Sequence, residues 1–251
     1  MIEEIKNKLK LIDPISLDEL SEYKLLNRID TKYICNSIYL SEIIDRVGID
    51  YKIQTSNSER IFGYESLYFD TPKMKTYFDH HQGKRIRYKI RFRKYLDTGD
   101  VFLEVKKKKD YIRTNKKRNQ FDFSNTLEKE HIRFIGNNIC IPDSGLQPTI
   151  WTIFDRVTLA GKNHLERITI DTNVRFKNNN KEISLPGLSI IEVKRDKADS
   201  VSIFAKALRE LNIRPYGFSK YIIGNVLLNP SLKHNRFLKK IVTVNKICYG
   251  T

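Results

Sequence analysis

Arg85-Ile-Arg-Tyr-Lys-Ile-Arg-Phe-Arg93 alternates basic and apolar residues without a break. An extended chain puts every second side chain on one side. The stretch therefore reads as a strand with Arg85, Arg87, Lys89, Arg91 and Arg93 on one face and Ile86, Tyr88, Ile90 and Phe92 on the other. Same-face neighbours lie ~6.7 Å apart. Each such pair of cations repels by roughly 0.6 kcal/mol in water and by about 2.5 kcal/mol at an effective dielectric of 20. Such a face either opens to water or meets a compensating anion. A solvated face ordinarily mixes signs, and this one does not.

The two-residue period continues outward from this stretch. Residues 84–95, 101–108 and 117–123 read as successive strands, with Asp97-Thr-Gly-Asp100 as the first turn. Residues 150–159, 164–171, 174–177 and 188–195 resume the pattern, with Gly161-Lys-Asn163 as a hairpin turn, and 28–35, 51–54 and 65–69 add strands nearer the start. Helices are expected over 3–11, over 38–47 between Ser37 and Gly48, after Pro72, over 126–135, over 201–211 after Asp199 and Ser200, and over 219–228. Short connections mean antiparallel pairing, so the class is α+β. With eight or more strands, closure into a barrel removes the exposed edges, and a closed eight-stranded antiparallel β-barrel with flanking helices is expected. No linker interrupts the pattern. Residues 1–251 are therefore read as one domain, with a helical lead-in at 1–25 and C-terminal helices at 199–229 packing on or plugging the barrel.

The 251 residues hold 46 Lys and Arg against 30 Asp and Glu, a formal charge of +16, and 40% hydrophobic content excludes disorder for most of the chain. Cys35, Cys140 and Cys248 are scattered, which argues against a disulfide scaffold or a zinc site. No apolar run approaches ~18 residues, and the opening Ile-Glu-Glu-Ile-Lys is no secretory signal. A cytoplasmic location is expected. The excess of cations points to an anionic partner: nucleic acid, an acidic membrane or a phosphorylated small molecule. Other strands repeat the basic theme. Arg28, Asp30 and Lys32 share a face, as do Glu104, Lys106 and Lys108, and Glu192 and Lys194, while Arg156 and Arg167 sit among apolar residues. In a closed sheet these faces would form a cationic tunnel suited to a linear polyphosphate or a nucleoside triphosphate, since arginine forks match phosphate oxygens. A glutamate or two would hold Mg²⁺ or Mn²⁺. A non-catalytic polyanion- or nucleic-acid-binding module is the rival reading of this charge; Tyr88 and Phe92, however, face away from Arg91 and Arg93 and so are poor platforms for bases, and no nucleic-acid partner is expected. His80 and His81 have no partner at metal-ligand spacing and read as structural.

Ten pieces, in order, resemble the VTC-type polyphosphate polymerase domain, a branch of the CYTH-like triphosphate tunnel metalloenzymes. They are Arg28-Ile-Asp-Thr-Lys-Tyr33, Tyr68-Phe-Asp-Thr-Pro72, Tyr77-Phe-Asp-His-His-Gln-Gly83, Lys89-Ile-Arg-Phe-Arg-Lys-Tyr95, Phe102-Leu-Glu-Val-Lys106, Lys116-Lys-Arg118, Phe154-Asp-Arg156, Arg167-Ile-Thr-Ile-Asp171, Ile191-Glu-Val-Lys194 and Phe218-Ser-Lys-Tyr221. The resemblance implies an eight-stranded tunnel whose inner basic residues bind a triphosphate and a growing chain. It implies catalytic roles for Arg91, Arg93, Lys106, Arg156, Arg167 and Lys220. It also implies substrate binding by Arg28, Lys32, Lys89, Lys116, Arg118, Lys194 and Ser219. Glu192 falls on the metal-binding position, with Glu104 as a second carboxylate and Mn²⁺ or Mg²⁺ as cofactor. The implied reaction transfers the γ-phosphoryl group of ATP to inorganic polyphosphate; the same site working on water would be an inorganic triphosphatase. Hydrolytic relatives carry Glu-x-Glu-x-Lys on the first strand, where this chain has Arg28-Ile-Asp-Thr-Lys32, and fewer carboxylates suit transfer better than activation of water. Eukaryotic members often carry a phosphate-sensing domain and membrane helices. Neither is read here, so export or regulation is expected to need a separate membrane partner.

Overall fold

Eleven strands carry the fold among the residues that the computed structural model describes, 2–23, 28–108, 114–140, 145–196 and 202–250. In chain order they are β1 (Asp13–Ile15), β2 (Arg28–Asn36), β3 (Tyr51–Gln54), β4 (Phe62–Asp70), β5 (Arg87–Tyr95), β6 (Val101–Lys108), β7 (Thr114–Gln120), β8 (Gln147–Gly161), β9 (Glu166–Lys177), β10 (Glu182–Ser184) and β11 (Leu188–Asp196). The helices are α1 (Ile2–Lys10), α2 (Leu17–Glu22), α3 (Leu40–Val47), α4 (Lys75–His81), α5 (Lys129–Gly136), α6 (Ile203–Glu210), α7 (Lys220–Leu228) and α8 (Leu238–Tyr249). α8 has no counterpart in the sequence reading. Of the expected helix starts, Asp199, Ser200 and Val201 lie outside the described residues; Ser202 caps α6, its hydroxyl accepting from Ala205 N. None of these helices is long and apolar enough to cross a membrane.

One sheet holds all eleven strands, and its principal path runs β2-β11-β9-β8-β4-β5-β6-β7. Every pairing is antiparallel except the short β1–β3 ladder. The expected closed barrel is not formed: β2 and β7 end the path without pairing among the described residues, and β1, β3 and β10 enlarge the sheet beyond eight strands. The reason lies at the two edges. The free edge of β2 is taken by the segment entering α7, where Tyr216 N donates to Lys32 O (2.6 Å) and Tyr33 bridges Pro215. β7 exposes Lys117 and Arg118, charges that blunt a strand edge.

The sheet nevertheless curls. β2 and β6 are six steps apart along the path, yet the Lys106 ammonium on β6 interacts electrostatically with Lys32 on β2 and Glu192 on β11. Much of the convex face is apolar and covered. α1, α3 and α6 pack there through Leu9, Ile43 and Phe204 onto Tyr51, Leu159 and Ile168. Ile135 of α5 covers Ile90, Phe92 and Leu103. Within the strand the apolar residues of the quoted stretch are thus turned outward, Ile90 and Phe92 buried and Tyr88 partly so, which leaves the basic ones facing the hollow; Ile86, before the strand, is exposed. Arg85 precedes β5 and does not join that row.

α7 fills part of the hollow, burying Tyr221, Ile222, Ile223 and Val226 against Ile34, Phe154, Phe176 and Ile190. Gly224 permits the close approach: a Cβ there would lie 2.6 Å from Ile150 Cδ1 and 2.8 Å from Phe176 Cδ1. Gly224→Val should therefore lower stability by about 1–3 kcal/mol through overpacking, a fall of several degrees in the calorimetric unfolding midpoint. An unchanged midpoint would mean that α7 packs more loosely than this.

Candidate active site

Residues of alternate parity from seven strands meet on the concave face. Lys32 lies opposite Glu192 in the β2–β11 ladder, Arg156 opposite Asp171 between β8 and β9, and Arg91 opposite Glu104 between β5 and β6. Lys106 stands between Lys89 and Lys116. Each of three carboxylates is held by two cations. Glu104 accepts from Arg91 Nε (2.8 Å) and Nη2 (2.6 Å) and pairs with Lys116. Asp171 accepts the fork of Arg156 (Nε 2.6 Å, Nη2 2.8 Å) and pairs with Lys220. Glu192 accepts from Lys32 (2.5 Å) and lies 3.2 Å from Lys194 Nζ. Burial alone would raise these carboxyl pKa values. The surrounding cations outweigh it and hold all three well below the ordinary range.

The remaining cations exceed what the carboxylates can neutralise. Arg93 is only 8% exposed, and its nearest polar partner is the Ser66 hydroxyl at 3.4 Å. Lys89 donates to the Ser219 hydroxyl (2.9 Å). Burial, reinforced by Lys106, Lys32 and Arg91, pushes its pKa down to about 7. Burial likewise brings Lys116 and Lys220 down to about 8, against the pull of Glu104 and Asp171. Aromatic faces orient the row: Lys220 Nζ stands 4.0 Å from the Phe154 ring centre, and the Arg156 and Arg93 guanidinium carbons stand 5.1 and 5.5 Å from that of Tyr64. A buried arginine facing a hydroxyl, beside lysines whose pKa values burial has lowered, is positive charge without full compensation, which a bound anion would relieve.

Lys220 reaches this row because of a buried network that sequence reasoning missed. Asp70 is fully buried and accepts from Thr71 N (2.7 Å), Thr76 N (2.8 Å), Tyr77 N (2.9 Å) and the Tyr221 hydroxyl (2.5 Å), so it ties the start of α4 to the residue beside Lys220. Tyr68 packs at a tilt against Tyr221 (5.0 Å between centroids), and its hydroxyl accepts from Arg91 Nη1 at 2.7 Å. Asp70→Asn replaces one acceptor oxygen with a donor facing donors. It should cost about 1–3 kcal/mol of stability, read by urea unfolding, together with a loss of activity as Lys220 and Arg91 shift. Full activity with full stability would show the network to be dispensable.

A family model described as the VTC domain matches residues 27–229. The chain belongs to the VTC domain family. A search of curated proteins returns no match. Among solved structures, the chain is similar to a protein from Hippeastrum described as a candidate adenylyl cyclase with a dominant triphosphatase activity. The identity is 13%, the TM-score 0.50, and the match covers 78% of this chain and 94% of that one. A candidate adenylate cyclase from Bacillus halodurans gives 12% identity and a TM-score of 0.49, covering 78% and 96%. The RNA triphosphatase of S. pombe gives 10% and 0.30, covering 90% and 89%. Of these three the Hippeastrum structure alone is similar enough to bear on this chain, and at such identity it shows the shared fold and nothing more.

Three of the basic residues singled out in this VTC domain stand apart from the inner row. Arg28 is exposed and bonded to Asp30 (3.0 Å). Arg118 is exposed on the β7 edge, 4.8 Å over the Phe102 ring. Arg167 faces the rim, donating to the Leu20 carbonyl with its Nε buried and unpartnered. Asp171, Tyr64, Ser66, Tyr68 and Asp70 belong to the site or its support and were not singled out. Asp171 carried a signal: it alternates with Arg167 and Thr169 on one face.

A divalent cation that is ligated chiefly by substrate phosphates needs one or two protein carboxylates. Among the described residues no three His, Cys, Asp or Glu gather as a protein-only cage. Glu192 suits such a site, since its side chain is 16% exposed to the hollow, against 3% for Glu104 and 4% for Asp171.

Proposed function

We propose that this VTC domain is a phosphotransferase that moves the γ-phosphoryl group of ATP onto the end of an inorganic polyphosphate chain. The observation that carries this reading is Arg93, a buried guanidinium that makes no direct ion pair among the described residues and feels Glu104 only at longer range, in a row with Lys89, Arg91, Arg156 and Lys220. A linear oligophosphate supplies regularly spaced charges to such a row.

In the transfer, an oxygen of the terminal phosphate of the acceptor attacks the γ-phosphorus, the bond to the β-bridging oxygen breaks, and ADP leaves with that electron pair. The acceptor oxygen is already ionised, so no general base is needed; catalysis is alignment plus neutralisation of charge. Arg91 and Arg156, fixed by Glu104 and Asp171, present unbonded N–H groups to phosphate oxygens. Lys220 and Ser219 add donors at the start of α7. Glu192 is the residue that would hold a divalent cation, which would neutralise charge on the phosphate oxygens. Glu104 suits the anchoring of Arg91 and Lys116 better than metal binding.

Triphosphate hydrolysis is the second reading of the same hollow. Transfer is favoured because Glu104, Asp171 and Glu192 are each paired with two cations that hold their pKa values low, which makes them weak bases toward water. Incubation with ATP, Mn²⁺ and a short polyphosphate primer should give a ladder of lengthening chains on a gel, with ADP released. Orthophosphate without a ladder would establish hydrolysis instead.

A further inference from the structure

The convex side of β2 and β11 carries a second basic pocket, outside the hollow and unused by the proposed reaction. It has a volume of about 410 Å³ and lies between α6 and the 213–215 segment. Lys206 and Arg209, one turn apart on α6, line it together with Arg214 and Arg195, over a floor that includes Thr31 and Tyr33. No described carboxylate lines it. The Glu210 carboxylate, next to Arg209 in sequence, is turned away to Arg46 on α3 at 3.0 Å. Lys206, Arg209 and Arg214 have no ion-pair partner among the described residues.

Three unneutralised cations converging on one recess, with a phenol in its floor, make an anion receptor rather than a solvated face of mixed signs. Arginine forks favour planar pairs of oxygens, which phosphate presents and chloride does not. The geometry points to a second anion site here, one for phosphate-type dianions, formed by Lys206, Arg209 and Arg214. It backs directly on the hollow. Tyr33 and Val193 alternate with Lys32 and Glu192 on the same strands, and Pro215, which bridges Tyr33, leads into Ser219 and Lys220. An anion held there would sit on the reverse face of the strands that carry the inner row.

Calorimetric titration with inorganic pyrophosphate at low ionic strength, on the full chain and on the Arg209→Ser/Arg214→Ser variant, tests this. Both arginines are exposed, so the variant should keep its unfolding midpoint. The expected stoichiometry is two for the natural chain and one for the variant. A change from one to none would support the outer site while contradicting anion binding in the hollow. Equal stoichiometry in the two proteins, whether none, one or two, would overturn the outer site.

Discussion

Lys220→Met should reduce the turnover of ATP with primer by roughly 10²–10³-fold, the loss expected when one preorganised donor to a developing charge is removed. Its ammonium lies at the start of α7 beside Asp171 and 4.0 Å from the centre of the Phe154 ring, which makes it one of the few cations delivered to the row by a helix rather than a strand. Methionine keeps the length and apolar contacts of the lysine stem and removes only the charge. Asp171 stays compensated by the Arg156 fork, so the variant should fold, with an unfolding midpoint within a few degrees of the natural protein. The effect should fall mainly on kcat. A variant that folds and retains at least half of the natural turnover would remove Lys220 from the reaction.

Affinity for triphosphate should weaken steeply as the pH rises from 7 to 9. Lys89 titrates at about 7, and Lys116 and Lys220 at about 8, because burial and neighbouring cations disfavour their charged forms. A bound polyanion demands those charges. Above each pKa the protein must therefore take up a proton to bind, at a cost of about tenfold in affinity per lysine per pH unit. The terminal phosphate of the ligand is already ionised over most of this range, so it does not cancel the trend. A rise in KM of at least a hundredfold between pH 7 and 9 is expected, with proton uptake visible as a dependence of calorimetric binding heat on the buffer. The free protein should respond in the opposite sense. These pKa values are lowered from the ordinary lysine value of 10.5, so above pH 7 the unfolded chain holds more protons than the folded one, and stability rises with pH up to that value. A KM that stays flat across the range would show that these lysines do not meet the ligand.

The inner face was readable wherever a strand kept strict alternation. Arg91 and Arg93 were placed by Ile90 and Phe92, whose burial on the convex side leaves the arginines no other direction. Lys106, Arg156 and Lys194 follow the same rule. Closure was not readable, because it depends on which segment wins the edge of β2. Pro215 and Tyr216 win it through contacts almost two hundred residues distant in sequence, which no local period reports. The partners of each cation were equally hidden: Glu104 meets Arg91 through the register of a hairpin, and Asp171 meets Lys220 only once α7 enters the hollow. Asp70 stands in the sequence only as part of Tyr68-Phe-Asp-Thr-Pro72, and its hold on Tyr221 belongs to tertiary structure alone. Arg167 shows the opposite failure. Its position in the alternation is correct, but the curl of the sheet carries it to the rim, where the Leu20 carbonyl takes it.

A crystal structure with tripolyphosphate and Mn²⁺ tests the central claim most directly. The account predicts three phosphates in the hollow with oxygens within hydrogen-bond reach of Arg91, Arg93, Arg156 and Lys220, and the cation against Glu192. A tripolyphosphate bound only on the outer surface, with those four side chains still facing one another across solvent, would contradict it.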